Sequence, residues 1–225
     1  MVTPRVVSLV PSVTESLLEW GIRPIACTRF CEQPDLRHVG GTKDPAVGDI
    51  VELAPDLVVL DEEENRREDH DELVANGVAV HVLAVRDLAG LDAQMSALAA
   101  AVGARWEPIG PRPEPEPTRL AWVPIWKRPW MALGEPTYGS AVLRALGVSN
   151  VAAAEGAYPE VDPDAARAAG ADLVVAPSEP YPFAERHRTE LERAAADVRF
   201  VDGRDLLWWG TRTRGALGRL ASALG

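Results

Sequence analysis

The tetrapeptide Asp-Leu-Val-Val occurs twice in the 225-residue chain, at 56–59 and again at 172–175. A run of leucine and valine with no polar alternation suits a strand covered on both faces, and such strands belong to parallel sheets flanked by helices. Amphipathic stretches and polar loops alternate with these runs, as in repeated strand–helix units. The expected fold class is therefore α/β with mostly parallel sheets.

In the first half, residues 6–10 read as a buried strand, and Ser12 with Glu15 form a capping box opening a helix that Gly21 ends. Residues 25–28 read as a strand, 49–53 as a helix stopped before Pro55, 56–60 as a strand, 68–75 as a helix up to Gly77, and 78–83 as a strand. The second half repeats the order: a strand at 120–125, a helix at 140–146 closed by Gly147, a helix near Ala165 opened by Asp162 and Pro163, then the second Asp-Leu-Val-Val strand. Gly21 and Gly147 lie 126 residues apart, as do Gly77 and Gly203, whereas the two tetrapeptides lie 116 apart. The order survives while the spacing drifts, so two Rossmann-like lobes are expected.

Between them, residues 88–102 are rich in Ala and Leu, and prolines follow at 108, 111, 113, 115 and 117. A helix of about 15 residues rises roughly 22 Å, enough for a single long backbone helix joining the lobes, and the prolines make a stiff extended link. The expected organisation is an N-terminal lobe over 1–86, a connecting backbone helix over 87–104, a Pro-rich linker over 105–117 and a C-terminal lobe over 118–225, with a ligand cleft between the lobes.

Charge narrows the partners. Thirty-four acidic and 23 basic side chains give a net charge of −11, which repels phosphate backbones and anionic lipid, so nucleic acid is excluded as a partner. No stretch approaches the roughly 18 apolar residues of a membrane span. The apolar run at 6–10 is too short for an export signal, and two cysteines do not make a disulfide framework, so a monomer in the cytoplasm with reduced thiols is expected.

In parallel sheets ligands sit beyond the carboxyl ends of the strands, which directs attention to the loops there. DEEENRREDH at 61–70 and SEPYPFAERH at 178–187 both combine acid, arginine and a terminal histidine. TRFCEQP at 28–34, VGGTKDP at 39–45, WKRPWMALGEPTYG at 126–139 and LLWWGTR at 206–212 complete the set. Nine of the 13 aromatic residues fall in these segments or beside them: Phe30, Trp126, Trp130, Tyr138, Tyr158, Tyr181, Phe183, Trp208 and Trp209. Aromatic walls with a few Arg and Glu groups suit a large flat ligand bearing amide, carboxylate or phosphate substituents.

Together VSLVPSVTESL, TRFCEQP, VGGTKDP, EENRRED, EPYPFAERH and WWGTR resemble the helical-backbone metal-receptor family of solute-binding proteins, and within it the short cobalamin-binding-protein-like subgroup. The resemblance implies two α/β lobes joined by one rigid helix and holding a metal chelate between them: a corrinoid such as cobalamin, or a ferric siderophore, haem or another organic ligand. It further implies a binder rather than an enzyme, with no catalytic cofactor, acting either as an intracellular carrier or sensor that serves a cofactor-accepting protein or as the binding protein of an ABC transporter. Glu15 and Glu155 are candidates for docking on such a transporter.

The ligand-contact residues expected are Arg29, Phe30, Cys31, Lys43, Glu64, Asn65, Arg66, Arg67, Trp126, Tyr138, Tyr158, Glu179, Tyr181, Phe183, Arg186, Trp208, Trp209 and Arg212. Arg66 and Arg67 would donate paired hydrogen bonds to carboxylate or phosphate, with Glu64 and Asn65 accepting amide protons. His70, His187 and Cys31 are candidate ligands to a metal centre. Two alternatives stay open: a zinc-like site from Cys27, Cys31 and His38, and a catalytic cleft pairing Glu179 with Glu64 or Cys31 with His187. No nucleophile elbow, zincin motif or dinucleotide fingerprint supports the latter.

Overall fold

A computed structural model describes residues 4–225, so the first three residues of the expected N-terminal lobe lie outside the described residues. The chain divides into two compact units, each built on a parallel sheet. The first runs to Val85 and adds Leu91–Pro108 and Trp209–Thr211; the second comprises Arg86–Gly90, Ile109–Trp208 and Arg212–Gly225.

In chain order the first sheet and its helices are β1 (Val6–Ser8), α1 (Pro11–Glu19), β2 (Ala26–Cys27), β3 (Arg37–His38), α2 (Val47–Glu52), β4 (Leu57–Asp61), α3 (Arg67–Ala75) and β5 (Val80–Leu83), followed by α4 (Leu88–Val102). The strands lie in the order β3-β2-β1-β4-β5, every pair parallel. The first Asp-Leu-Val-Val copy forms most of β4, where consecutive Val58, Val59 and Leu60 are all buried, so both faces are covered and no polar alternation appears. Val7, Leu9, Ile50, Val58, Leu60 and Leu73 form the core under it.

The start of α1 differs from expectation. Val10 is the extended N-cap residue and Pro11 takes the first helical position, with no side-chain cap. The fixed φ of proline and its missing N–H suit that position, so Ser12 lies buried within the first turn instead of capping it. Trp209–Thr211 returns to this unit at α1: the Thr211 N–H donates to Ser16 Oγ (3.2 Å), and a Cβ on Gly210 would lie 2.3 Å from the same oxygen.

The second unit contains β6 (Arg119–Trp122), β7 (Pro124–Trp126), β8 (Met131–Ala132), α5 (Tyr138–Ala145), β9 (Val148–Asn150), α6 (Pro163–Ala168), β10 (Leu173–Pro177), α7 (Arg188–Leu191), β11 (Asp197–Val201), α8 (Gly203–Leu207) and α9 (Thr213–Leu224). Its parallel sheet runs β11-β10-β6-β9, with the second Asp-Leu-Val-Val copy in β10, flanked by strands on both sides. Asp162 caps α6, accepting from the Ala165 N–H at 2.8 Å, as its sequence suggests. The strand expected over 120–125 breaks at Val123, and β7 pairs antiparallel with β8 instead.

Residues 39–45 form a tight turn at the carboxyl edge of the first sheet. Gly40 sits there at φ +88°, and an added Cβ would come within 2.4 Å of the Asp44 carbonyl oxygen. Both the backbone region and the contact exclude a side chain. Gly40→Ala should lower the unfolding free energy by about 2–3 kcal/mol, read by denaturant titration; a loss near zero would show that the turn rearranges freely.

Candidate functional site

At the carboxyl edge of the first unit the loops are pinned by one amide. Asn65, buried, donates to the carbonyls of Leu9 (3.3 Å) and Thr42 (2.9 Å) and accepts from the Asp61 N–H (2.8 Å), tying together three loops. Asp61 Oδ1 in turn accepts from the N–H groups of Glu63 (2.9 Å) and Glu64 (3.1 Å), which fixes the turn after β4. Lys43 donates to the Glu63 carbonyl at 2.6 Å. Beside these groups a cavity of about 220 Å³ is lined by Leu60, Asp61, Glu62, Asn65, Arg66, Arg67, His70 and Val82.

Burial pushes the Glu64 carboxyl up to about 7; the Asp61 charge adds to this, while Lys43 opposes it. Asp61 rises to about 6, again chiefly through burial, with the two backbone N–H groups holding it lower than burial alone would. Cys31, at the end of the 3-10 turn Arg29–Cys31, moves the other way. The neighbouring Cys27 thiol and the Thr14 and Thr28 hydroxyls, each hydroxyl 3.2 Å from the sulfur, favour its charged form and hold its pKa down to about 6 against burial. The Cys27 thiol is held protonated by the same contact and by its own burial.

In the second unit the corresponding edge is aromatic. Trp126, 46% exposed, meets Tyr181 edge to face with centroids 5.7 Å apart. Tyr181 leans on Phe183 (4.7 Å), and Phe183 stacks on Trp130 (6.0 Å, 5° between planes), which contacts buried Trp122 (5.4 Å). Lys127 lies over the Trp130 ring at 5.6 Å and pairs with Glu190. The result is a continuous wall with Trp126 at its wet end, where large rings are held rigidly at little entropic cost.

The structure sorts the residues named from sequence. Arg29, Phe30, Lys43, Glu64 and Arg67 gather at the edge of the first unit, with Cys31 buried beneath; Trp126, Tyr181, Phe183 and Arg186 gather in the second. Several charged groups are already paired. Arg29 pairs with Asp44 (3.0 Å) and lies over the Phe30 ring. The Arg66 fork is closed on Asp69 by bonds of 2.9 and 2.7 Å, and Asn65 has spent both amide protons on carbonyls, so neither is poised as a ligand donor. Exposed Arg67 approaches Asp71 at 3.9 Å.

Tyr138 is not in a loop: it starts α5, buried, with its hydroxyl 2.8 Å from Thr213 Oγ1. Trp208 donates to Glu179 (3.0 Å), Arg212 pairs with buried Asp205 (2.7 Å), Trp209 is buried, and Tyr158 is 44% exposed. His187 does not have a ligand's geometry. Its Nδ1 accepts from the Ala184 N–H (3.1 Å), which leaves the proton on Nε2, and burial lowers its pKa. His70 Nδ1 lies 2.8 Å from Asp71 Oδ1, and exposed His38 lies 3.0 Å from the Gln33 carbonyl. Among the described residues no three His, Cys, Asp or Glu side chains are grouped to hold a metal ion, which removes the Cys27–Cys31–His38 site.

Sequence reasoning missed Asp61, Thr14 and Thr28, because a carboxylate ending a strand and hydroxyls on a helix and a turn carry no motif. Trp130 was visible among the clustered aromatics, but nothing in the sequence marked it as the link between Phe183 and the core.

No family model and no curated protein sequence matches the chain. Solved structures do share its fold. The periplasmic vitamin B12 binding protein BtuF of Vibrio cholerae has a TM-score of 0.79 at 17% identity, covering 99% of this chain and 96% of that one. A periplasmic heme binding protein from Pseudomonas aeruginosa has 0.79 at 20%, covering 99% and 92%. An ABC transporter substrate-binding protein from Listeria monocytogenes EGD-e has 0.76 at 13%, covering 99% and 98%. The α/β fold expected from sequence is thereby matched. The cytoplasmic location is not upheld: similar folds belong to periplasmic proteins, and a short apolar run near the first residue was no basis for a compartment. Among the described residues no helix is long and apolar enough to cross a membrane.

Raised carboxyls at the first edge have a consequence for stability. The folded-state pKa of Glu64 lies above its unfolded value of 4.5, so its contribution is fully present below that pH and is lost as pH rises through about 7. Relative to Glu64→Gln, the wild type should lose about 1–2 kcal/mol between pH 4.5 and 8, allowing for partial exposure of the group. Denaturant titrations across that range test this, and parallel curves for the two proteins would refute it.

Proposed function

We propose that this chain is a solute-binding protein for a metal-bearing organic ring compound, held without chemical turnover, and that its cargo is a corrinoid such as cobalamin. The aromatic wall of the second unit carries the proposal: Trp126 half in solvent, set against Tyr181 and backed by Phe183 and Trp130, offers an extended apolar surface to a large ring. Two further points favour a corrinoid. It can arrive with both axial metal positions filled, so the commitment of His187 Nδ1 to a backbone N–H costs nothing. Its amide periphery is neutral, which suits a chain of net charge −11 better than a dianionic ring would.

On this reading Trp126, Tyr181 and Phe183 meet the ring, and Tyr158 and Arg186 of the same unit serve its polar substituents. The cargo passes to an ABC-type transporter outside the cytoplasm, a role supported by the fold shared with an ABC transporter substrate-binding protein.

A haem cargo is the second reading, favoured by one observation. Tyr181 stands in the wall, and no described residue hydrogen-bonds its hydroxyl, so the phenol is available to an iron centre.

Titration with cyanocobalamin and with haemin, followed by tryptophan fluorescence, separates the readings. Saturable quenching by cyanocobalamin is expected, weakened at least tenfold (about 1.4 kcal/mol) in Trp126→Ala with the melting temperature nearly unchanged. Haemin binding with a visible absorption shift that Tyr181→Phe abolishes would transfer the assignment to haem. Indifference to both compounds would overturn the proposal.

A further inference from the structure

Cys27 and Cys31 lie buried together with Leu36 at the carboxyl end of β2, close enough for each to set the other's charge. Their surroundings are unequal. Thr28 Oγ1 accepts from the Phe30 N–H (3.3 Å) and lies 3.2 Å from Cys31 Sγ, a bond in which the hydroxyl is the donor once the sulfur is ionised. Ser8 donates to the Val10 carbonyl (3.1 Å), and the Thr14 hydroxyl has three acceptors in reach: Ser8 Oγ (2.8 Å), the Val10 carbonyl (3.1 Å) and Cys31 Sγ (3.2 Å). Two hydroxyls thus lie against Cys31 Sγ, while Cys27, with no exposed surface, has only Cys31 among the polar groups that set its charge. That asymmetry divides the labour of thiol–disulfide exchange between an attacking thiolate and a protonated resolving thiol.

We propose that Cys31 and Cys27 form a redox couple that closes to an intramolecular disulfide by exchange with low-molecular-weight disulfides, with Cys31 attacking and Cys27 resolving. The Cys31 thiolate attacks one sulfur of the small disulfide, breaking its S–S bond and releasing one thiolate. The Cys27 thiol then gives up its proton to that thiolate and attacks Cys31 Sγ, releasing the second thiolate and closing the Cys27–Cys31 bond. Two electrons pass from the protein to the small disulfide, which leaves as two thiols. Both cysteines are buried, so the reagent enters when the turn 29–31 opens, its other two residues being exposed. Closure brings the sulfurs to about 2.05 Å and removes the charge that Thr14 and Thr28 stabilise, coupling oxidation to the turn that presents Arg29 and Phe30.

Intact-mass spectrometry of the full chain in mixtures of reduced and oxidised glutathione, with alkylation of remaining thiols after denaturation, tests the proposal. The wild type should become lighter by two hydrogens, with no thiol left to alkylate and no lasting glutathione adduct. Cys27→Ser should stop at a single adduct on Cys31, and Cys31→Ser should remain unmodified over the same period. The proposal is overturned if the wild type keeps both thiols in fully oxidised glutathione, or if it accumulates an adduct without closing. Faster adduct formation in Cys31→Ser than in Cys27→Ser would overturn the assigned roles. The wild-type measurement decides the central point even if a serine variant fails to fold.

Discussion

Parallel pairing is the constraint from which the rest of this structure follows. Every neighbouring pair in the two large sheets is parallel, so the chain must cross back after each strand, and the loops leaving the strands open on one edge of each sheet. Residues more than fifty positions apart, such as Leu9 and Asn65, become neighbours there without either belonging to a motif. The antiparallel β7–β8 pair is the exception, and it places Trp126 at the wet end of the aromatic wall.

Charge at these edges is spent mainly on the protein itself. Asp69 closes the Arg66 fork, Asp44 meets Arg29, and buried Asp205 holds both Arg212 and Arg219. Such pairs fix loops with directional bonds, which is worth more to a binding surface than the modest net stability of exposed ion pairs. The edge of the second unit is correspondingly small in charge and large in ring area, with Trp126 at its solvent-facing end.

The fold was largely legible because it rests on local patterns. The two Asp-Leu-Val-Val strands, the glycines that end α1, α3 and α5, and the Asp162–Pro163 helix start all act within a few residues. The start of α1 was misread because a serine and a glutamate at the right spacing imitate a capping box, while the proline just before them sets the real boundary. The site was legible only in outline. Clustering of aromatics and arginines marked the right loops, yet the partner of each group came from elsewhere in the sequence, so Arg66, Asn65 and Tyr138 looked available while being engaged. The tautomer of His187 depends on one backbone N–H three residues away, and no composition argument reveals it.

The return of Trp209–Thr211 to α1 makes the first unit discontinuous, and this bears on how the chain is made. During translation the strands β1 to β5 emerge early and can pair, but the segment that seats Gly210 against Ser16 Oγ is made only after β11, the last strand of the second sheet. The nascent first unit therefore waits, unfinished at α1, while the whole second sheet is synthesised. A chain cut before Trp209 therefore lacks the piece that completes α1 near its beginning.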